Sequence, residues 1–154
     1  MPAGQFTLYR ANLDDLSMAD IAAAVVKVAL VTSVYAPNAA NNGHTLWAEV
    51  SADEIANGNG YATGGFTLTD SVALATNGHM YASDDPTWTA AGGSIPAWRY
   101  GVMYLEGTVA GMVNPLVGYF LGDTTPADVP ATSDGNPLTI TVPAEGWFTA
   151  TQAP

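Results

Sequence analysis

The chain has 154 residues and no cysteine, and its fourteen acidic residues face only three bases (Arg10, Lys27 and Arg99), a formal charge of −11. That length suits one domain burying about 68–70% of its unfolded surface, and the lack of thiols excludes disulfides and thiolate metal sites. Charged residues make up only 11% of the chain, so uncharged Asn, Ser, Thr, Gly and Ala must supply most of the surface; an acidic, Lys-poor surface of this kind repels phosphate backbones, so no nucleic-acid partner is expected.

No run reaches the roughly 18–20 apolar residues of a membrane helix, and the N-terminus has no basic stretch ahead of an apolar core. The chain therefore reads as soluble, with no membrane partner. Phe6-Thr7-Leu8-Tyr9 alternates weakly and suits a short edge strand or an ordered arm, and residues 12–17 read as loop. Ser17, followed three residues later by Asp20, is a helix start, and 18–24 can make one or two turns. Residues 25–31 (VVKVALV) are β-rich and mostly apolar, as in a buried strand.

Residues 35–43 form a polar loop, and 46–50 a short element. The Ser51/Glu54 spacing then matches a capping box for a single turn. Four glycines between positions 58 and 65 signal sharp turns or close backbone approach. Phe66-Thr67-Leu68-Thr69 starts a strand that 72–74 can continue after a bend, and Asn77-Gly78 is a hairpin signal with 79–82 returning.

Asp84-Asp85-Pro86 turns the chain, and Trp88 precedes the Gly92-Gly93 pair. Residues 95–106 are the strand on which the rest is expected to be organised. Alternation from Trp98 places Trp98, Tyr100, Val102 and Tyr104 on one face, and Arg99, Gly101, Met103 and Leu105 on the other. Neither face is polar throughout, so the strand should be central and covered on both sides. Residues 107–114 read as loop, 115–121 as strand with Pro at its first position, and 122–137 as a long exposed connection. Residues 138–142 alternate and should have one wet face; the last strand is 146–151.

Seven to nine short strands at this spacing predict an all-β fold: a single-domain antiparallel β-sandwich or barrel with Gly/Pro-rich loops and at most one short helix near the N-terminus. An N-terminal arm over residues 1–24 would lead into a sandwich domain over 25–154.

Chemistry is harder to find. His44 and His79 lie far apart with no partners at ligand spacing, and read as solvent-side residues rather than metal ligands. No Gly-x-Ser-x-Gly elbow places a nucleophile. Asp14-Asp15 and Asp84-Asp85 lack the regular oxygen spacing of a calcium loop and read as turn formers, with Asp84-Asp85 a possible counter-charge for a buried Arg99. The glycine segment has no following Lys-Ser/Thr for phosphate. Four tryptophans and seven tyrosines suit a core first, a subunit interface second and a sugar-binding face third. No catalytic residue, metal or cofactor is expected.

Three stretches together carry a resemblance: Val26-Lys27-Val28-Ala29-Leu30-Val31-Thr32-Ser33 with Tyr35 and Pro37; Gly60-Tyr61 with Thr63-Gly64-Gly65 and Leu68; and Trp88 leading to Ala97-Trp98-Arg99-Tyr100 with Val102 and Tyr104. Pro115-Leu116-Val117-Gly118-Tyr119-Phe120 and Gly146-Trp147-Phe148 complete it. The pattern resembles a family of small tailed-bacteriophage virion proteins of structural, head-decoration or cement type. The resemblance implies a non-enzymatic protein, made in the host cytoplasm and carried on the exterior of the capsid. Its partners would be the major capsid protein or other virion proteins, and copies of itself, a trimer being the natural closed form at local three-fold positions. A tail or fibre-base component and a carbohydrate-binding β-sandwich module are the alternatives. The residues marked for structural or interface roles are Tyr61, Gly64, Gly65, Trp98, Arg99, Tyr100, Tyr104 and Trp147.

Overall fold

The computed structural model describes residues 1–75, 78–123, 125 and 127–151. Among these the chain forms twelve strands and one α-helix. In order they are β1 (Thr7–Leu8), α1 (Met18–Ala23), β2 (Val25–Val31), β3 (Phe66–Thr67), β4 (Asp70–Ala75), β5 (Gly78–Ser83), β6 (Thr87–Thr89), β7 (Tyr100–Glu106), β8 (Thr108–Val109), β9 (Met112–Val113), β10 (Leu116–Leu121), β11 (Pro137–Thr139) and β12 (Phe148–Thr151). The fold is all-β, antiparallel in every ladder between named strands, sandwich-like, and not a closed barrel. Four strands are only two residues long, which is why the count exceeds the seven to nine expected; the longer ones lie where the alternation put them, with the added Trp88 segment β6.

The main sheet has the order β1-β10-β7-β2-β3. β7 is its middle strand, with Val102, Met103, Tyr104 and Leu105 all buried, as expected for a strand covered on both faces. One face carries Val26, Val28, Leu30, Met103, Leu105 and Phe120 into the larger core, where they meet Tyr81, Trp88, Leu138 and Ile140 from the smaller sheets β12-β5-β4 and β11-β6 and the segment after β11. The other face presents Ala29, Val31, Val102, Tyr104 and Leu116 to a second core closed by Tyr9, Tyr35, Trp47 and Val50. That second cover is not a sheet but irregular chain from the 35–50 region with two 3-10 turns, at Trp47–Glu49 and Ser51–Asp53.

Local chemistry explains several elements. The Ser17 hydroxyl accepts from Asp20 N–H (3.1 Å), and Asp20 Oδ2 accepts from Ser17 N–H (2.9 Å), the reciprocal cap expected at α1. Between Leu116 and Gly118 the β7–β10 register slips by one residue. This bulge resets the pleat, so that Val117 and Phe120, three residues apart, both face the larger core, while Leu116 and Tyr119 both face the second.

Other expectations are corrected. Trp98 lies with Met103 and Leu105 in the larger core, opposite to Tyr100, Val102 and Tyr104. The β2–β7 ladder begins at Tyr100, whereas Trp98 bridges Val129, so the pleat does not run unbroken through Arg99. Residues 107–114 are not plain loop: β8 and β9 form a ribbon turned by Ala110 and Gly111, both at positive φ (49° and 79°). The 122–137 connection is tied down at Val129 and Thr132, which bridge Trp98 and Ile95, and Val129 is buried. The cap at Ser51 does not form; Glu49 Oε2 instead accepts from the N–H groups of Thr45 (2.7 Å) and Leu46 (2.8 Å). β4 and β5 pair with Ala75 opposite Gly78; Asn77 of the expected hairpin turn lies outside the described residues.

Candidate functional site

Six of the eight singled-out residues fall into two connected groups beside the main sheet. The first centres on Glu54. Its Oε1 accepts from the Tyr61 hydroxyl and from Gly64 N–H, both at 2.7 Å, while Leu30 N–H donates to the Tyr61 oxygen (3.0 Å). Tyr104 on β7 then donates its hydroxyl to Gly64 O (2.8 Å). The carboxylate thus holds the glycine segment together, and the Tyr61 and Tyr104 hydroxyls tie that segment to β2 and β7. Gly65 completes the fit: at φ +79°, a Cβ there would stand 2.1 Å from Val28 O.

On the Tyr104 ring lies Trp47, stacked at 4.7 Å and 6°, and along the same ladder Lys27 pairs with Glu106 at 2.7 Å. Burial, first, and the charges of Glu54 and Glu106 push the Tyr104 phenol up. Burial and the hydrogen bond to Glu54 do the same for Tyr61.

The second group surrounds the start of β7. Arg99 Nε donates to Asp128 Oδ1 at 2.8 Å, with both side chains partly exposed (28% and 46%). This replaces the expected counter-charge: Asp85 instead accepts from Val142 N–H (2.8 Å), as a turn former does. Tyr100 is half-buried, edge-on to Tyr35 (5.8 Å) and Tyr119 (6.1 Å). The Tyr9 and Tyr35 hydroxyls are 2.5 Å apart, and Tyr35 reaches His44 Nδ1 at 3.0 Å. Burial raises Tyr9 and pushes Tyr35 up to about 12.

Trp98 and Trp147 stand apart from both groups, inside the larger core. Trp147 donates Nε1–H to Ser83 Oγ (2.9 Å) and packs on Phe120 (5.2 Å). Trp98 is 1% exposed with its Nε1–H unpartnered. Tyr61, Trp98, Tyr104 and Trp147 are all buried, so their contacts are internal. Gly64, Gly65, Arg99 and Tyr100 keep partial exposure.

The chemistry these groups support is positional. The phenols are held protonated by burial, and the carboxylate between them is occupied by two donors. Among the described residues no group of three or more His, Cys, Asp or Glu side chains is arranged to hold a metal ion. Among the same described residues no helix is long and apolar enough to cross a membrane. Sequence reasoning missed Glu54 as the keystone, Asp128 as the partner of Arg99, and Asn12, a buried loop residue. No local spacing rule marks any of the three: Glu54 acts seven and ten residues ahead, and Asp128 and Asn12 act 29 or more residues away. No protein-family model, curated protein or solved structure matches this chain.

Proposed function

We propose that this chain is a non-enzymatic structural protein of a tailed-bacteriophage virion, a decoration (cement) protein bound to the outside of the assembled head. The observation that carries the reading is electrostatic. Of three cations, Lys27 and Arg99 are neutralised in place by Glu106 and Asp128, which leaves a surface of almost unrelieved negative charge. Such a subunit is kept off packaged DNA and is suited to the outer side of a shell. Consistent with a structural role, the residues carrying the resemblance hold sheet and loops together. Binding assembled shell but not free capsid subunits would stabilise the particle by mass action, with the major capsid protein and further copies of this chain as partners.

The carbohydrate-binding alternative needs exposed tryptophan faces, and Trp47, Trp88, Trp98 and Trp147 are all buried, at 8% exposure or less. The test is particle imaging with the chain labelled, combined with heating of particles stripped of it. Label over the head and early loss of stripped heads are expected. Label confined to the tail would favour a tail component, and unchanged heat resistance would remove the cementing role.

A further inference from the structure

Among the described residues β4 (Asp70–Ala75) is the longest strand at a sheet edge, with β5 on one side only. Its ladder to β5 runs without a bulge. Beyond Asp70 at its first position it carries no charge and no Pro, so most guards of an open edge are missing. Which backbone groups it offers follows from the register. Asp84 N–H donates to Thr69 O (3.0 Å), one step before the Asp70–Ser83 pair. In an antiparallel ladder hydrogen-bonded pairs alternate, so Ser71, Ala73 and Ala75 bond to β5, while Asp70, Val72 and Leu74 turn N–H and C=O outward. Among the described residues no hydrogen bond meets those outward groups. Side chains are uncovered along the same edge. Val72 packs against the larger core, but Leu74, next on the same face, is 85% exposed.

An edge of this kind is completed by an extended strand, and charge selects which one. The chain carries −11, yet Asp70 is the only Asp, Glu, Lys or Arg on β4, β5 and β12. A basic segment finds almost nothing there to attract it, whereas two copies of this chain can meet there with little local repulsion. The edge is also self-complementary. Antiparallel pairing centred on Ala73 sets Val72 opposite Leu74 of the second copy, and Leu74 opposite its Val72. Each is a reciprocal pair of backbone hydrogen bonds with two apolar side chains on one face. The two Asp70 carboxylates then lie about 20 Å apart, beyond the screening length of about 8 Å at physiological salt. We propose that two copies of this chain pair through their β4 edges about a two-fold axis at Ala73, joining two three-stranded sheets into one. This makes a dimer, not the trimer that the resemblance implies, and it rests on the edge alone, independent of any virion role.

The experiment is analytical ultracentrifugation of the purified full chain from micromolar to millimolar concentration, at low and at high salt, with amide hydrogen exchange alongside. A dimer is expected that tightens as salt screens the repulsion between two negative copies, and exchange at the Val72 and Leu74 amides should slow as concentration rises. Leu74→Lys should weaken the dimer about tenfold, since both Val–Leu pairs are lost, even though it makes each copy less negative. Val34→Lys, at a comparably exposed position (77%) outside this sheet, should leave the dimer unchanged. A chain that stays monomeric at millimolar concentration and high salt would overturn the pairing and leave the edge to an extended segment of another protein. A dimer that Leu74→Lys does not weaken, that Val34→Lys weakens equally, or that leaves exchange at Val72 and Leu74 unslowed would overturn its placement at β4.

Discussion

At the scale of single residues, Glu54 and Asp128 are both carboxylates with a close partner, yet they should differ in weight. Glu54 is half-buried and holds two donors, seven and ten residues further along the chain. Glu54→Ala leaves the Gly64 N–H unpartnered and should cost about 1–3 kcal/mol, read as a lower urea midpoint with unchanged slope. Asp128 meets Arg99 at an exposed edge; Asp128→Asn should cost no more than about 1 kcal/mol, a loss that shrinks as salt is added. A large salt-independent loss would show that the pair is more than a surface contact. Neither partnership was legible from sequence, because 29 residues separate Arg99 from Asp128 and only the folded path of the 122–137 connection brings them together. Glu54 was read as a local cap because Ser51 stands three residues before it, and the donors at Tyr61 and Gly64 prevailed.

Among elements, those governed by neighbours in sequence were read well. The Ser17/Asp20 cap, the β2 run and the central position of β7 all follow from local spacing and apolar alternation. What failed was phase. Trp98 changes face because its backbone partner is Val129 rather than a strand of the main sheet, and alternation counting assumes one continuous ladder. The β8–β9 ribbon was hidden because Ala110 occupies a left-handed turn position usually marked by Gly or Asn.

Glycine also sets the fit of β7 against β10. Gly101 lies opposite Phe120, and a Cβ there would stand 2.2 Å from the ring. Gly101→Ala should therefore cost about 1–3 kcal/mol through overpacking. Shortening the ring in Gly101→Ala/Phe120→Leu should return part of that loss, measured as a positive coupling in a double-mutant cycle. Additive losses would place the strain elsewhere.

For the whole molecule, the buried phenols tie stability to alkaline pH. Tyr9, Tyr35, Tyr61, Tyr81 and Tyr104 are all raised above the ordinary tyrosine value, chiefly by burial. A raised folded-state value means that unfolded chains release protons first. The stability these groups lend is complete below about pH 10 and is lost as pH climbs through the folded values, the lowest being about 12 for Tyr35. Tyrosinate absorbance from these rings should therefore appear together with the loss of β-sheet circular dichroism. Full ionisation with the sheet intact would contradict the burial.

β7 belongs to both cores at once, Met103 and Leu105 to one and Val102 and Tyr104 to the other. A strand walled in from two sides has no private way to open: freeing its amides requires dismantling the sheet packing above and the loop packing below together. Deuterium should enter at Val102 and Met103 only when the entire chain lets go, so their exchange clocks measure the lifetime of the molecule as a unit, while the short ribbon at 108–113 exchanges freely beside them.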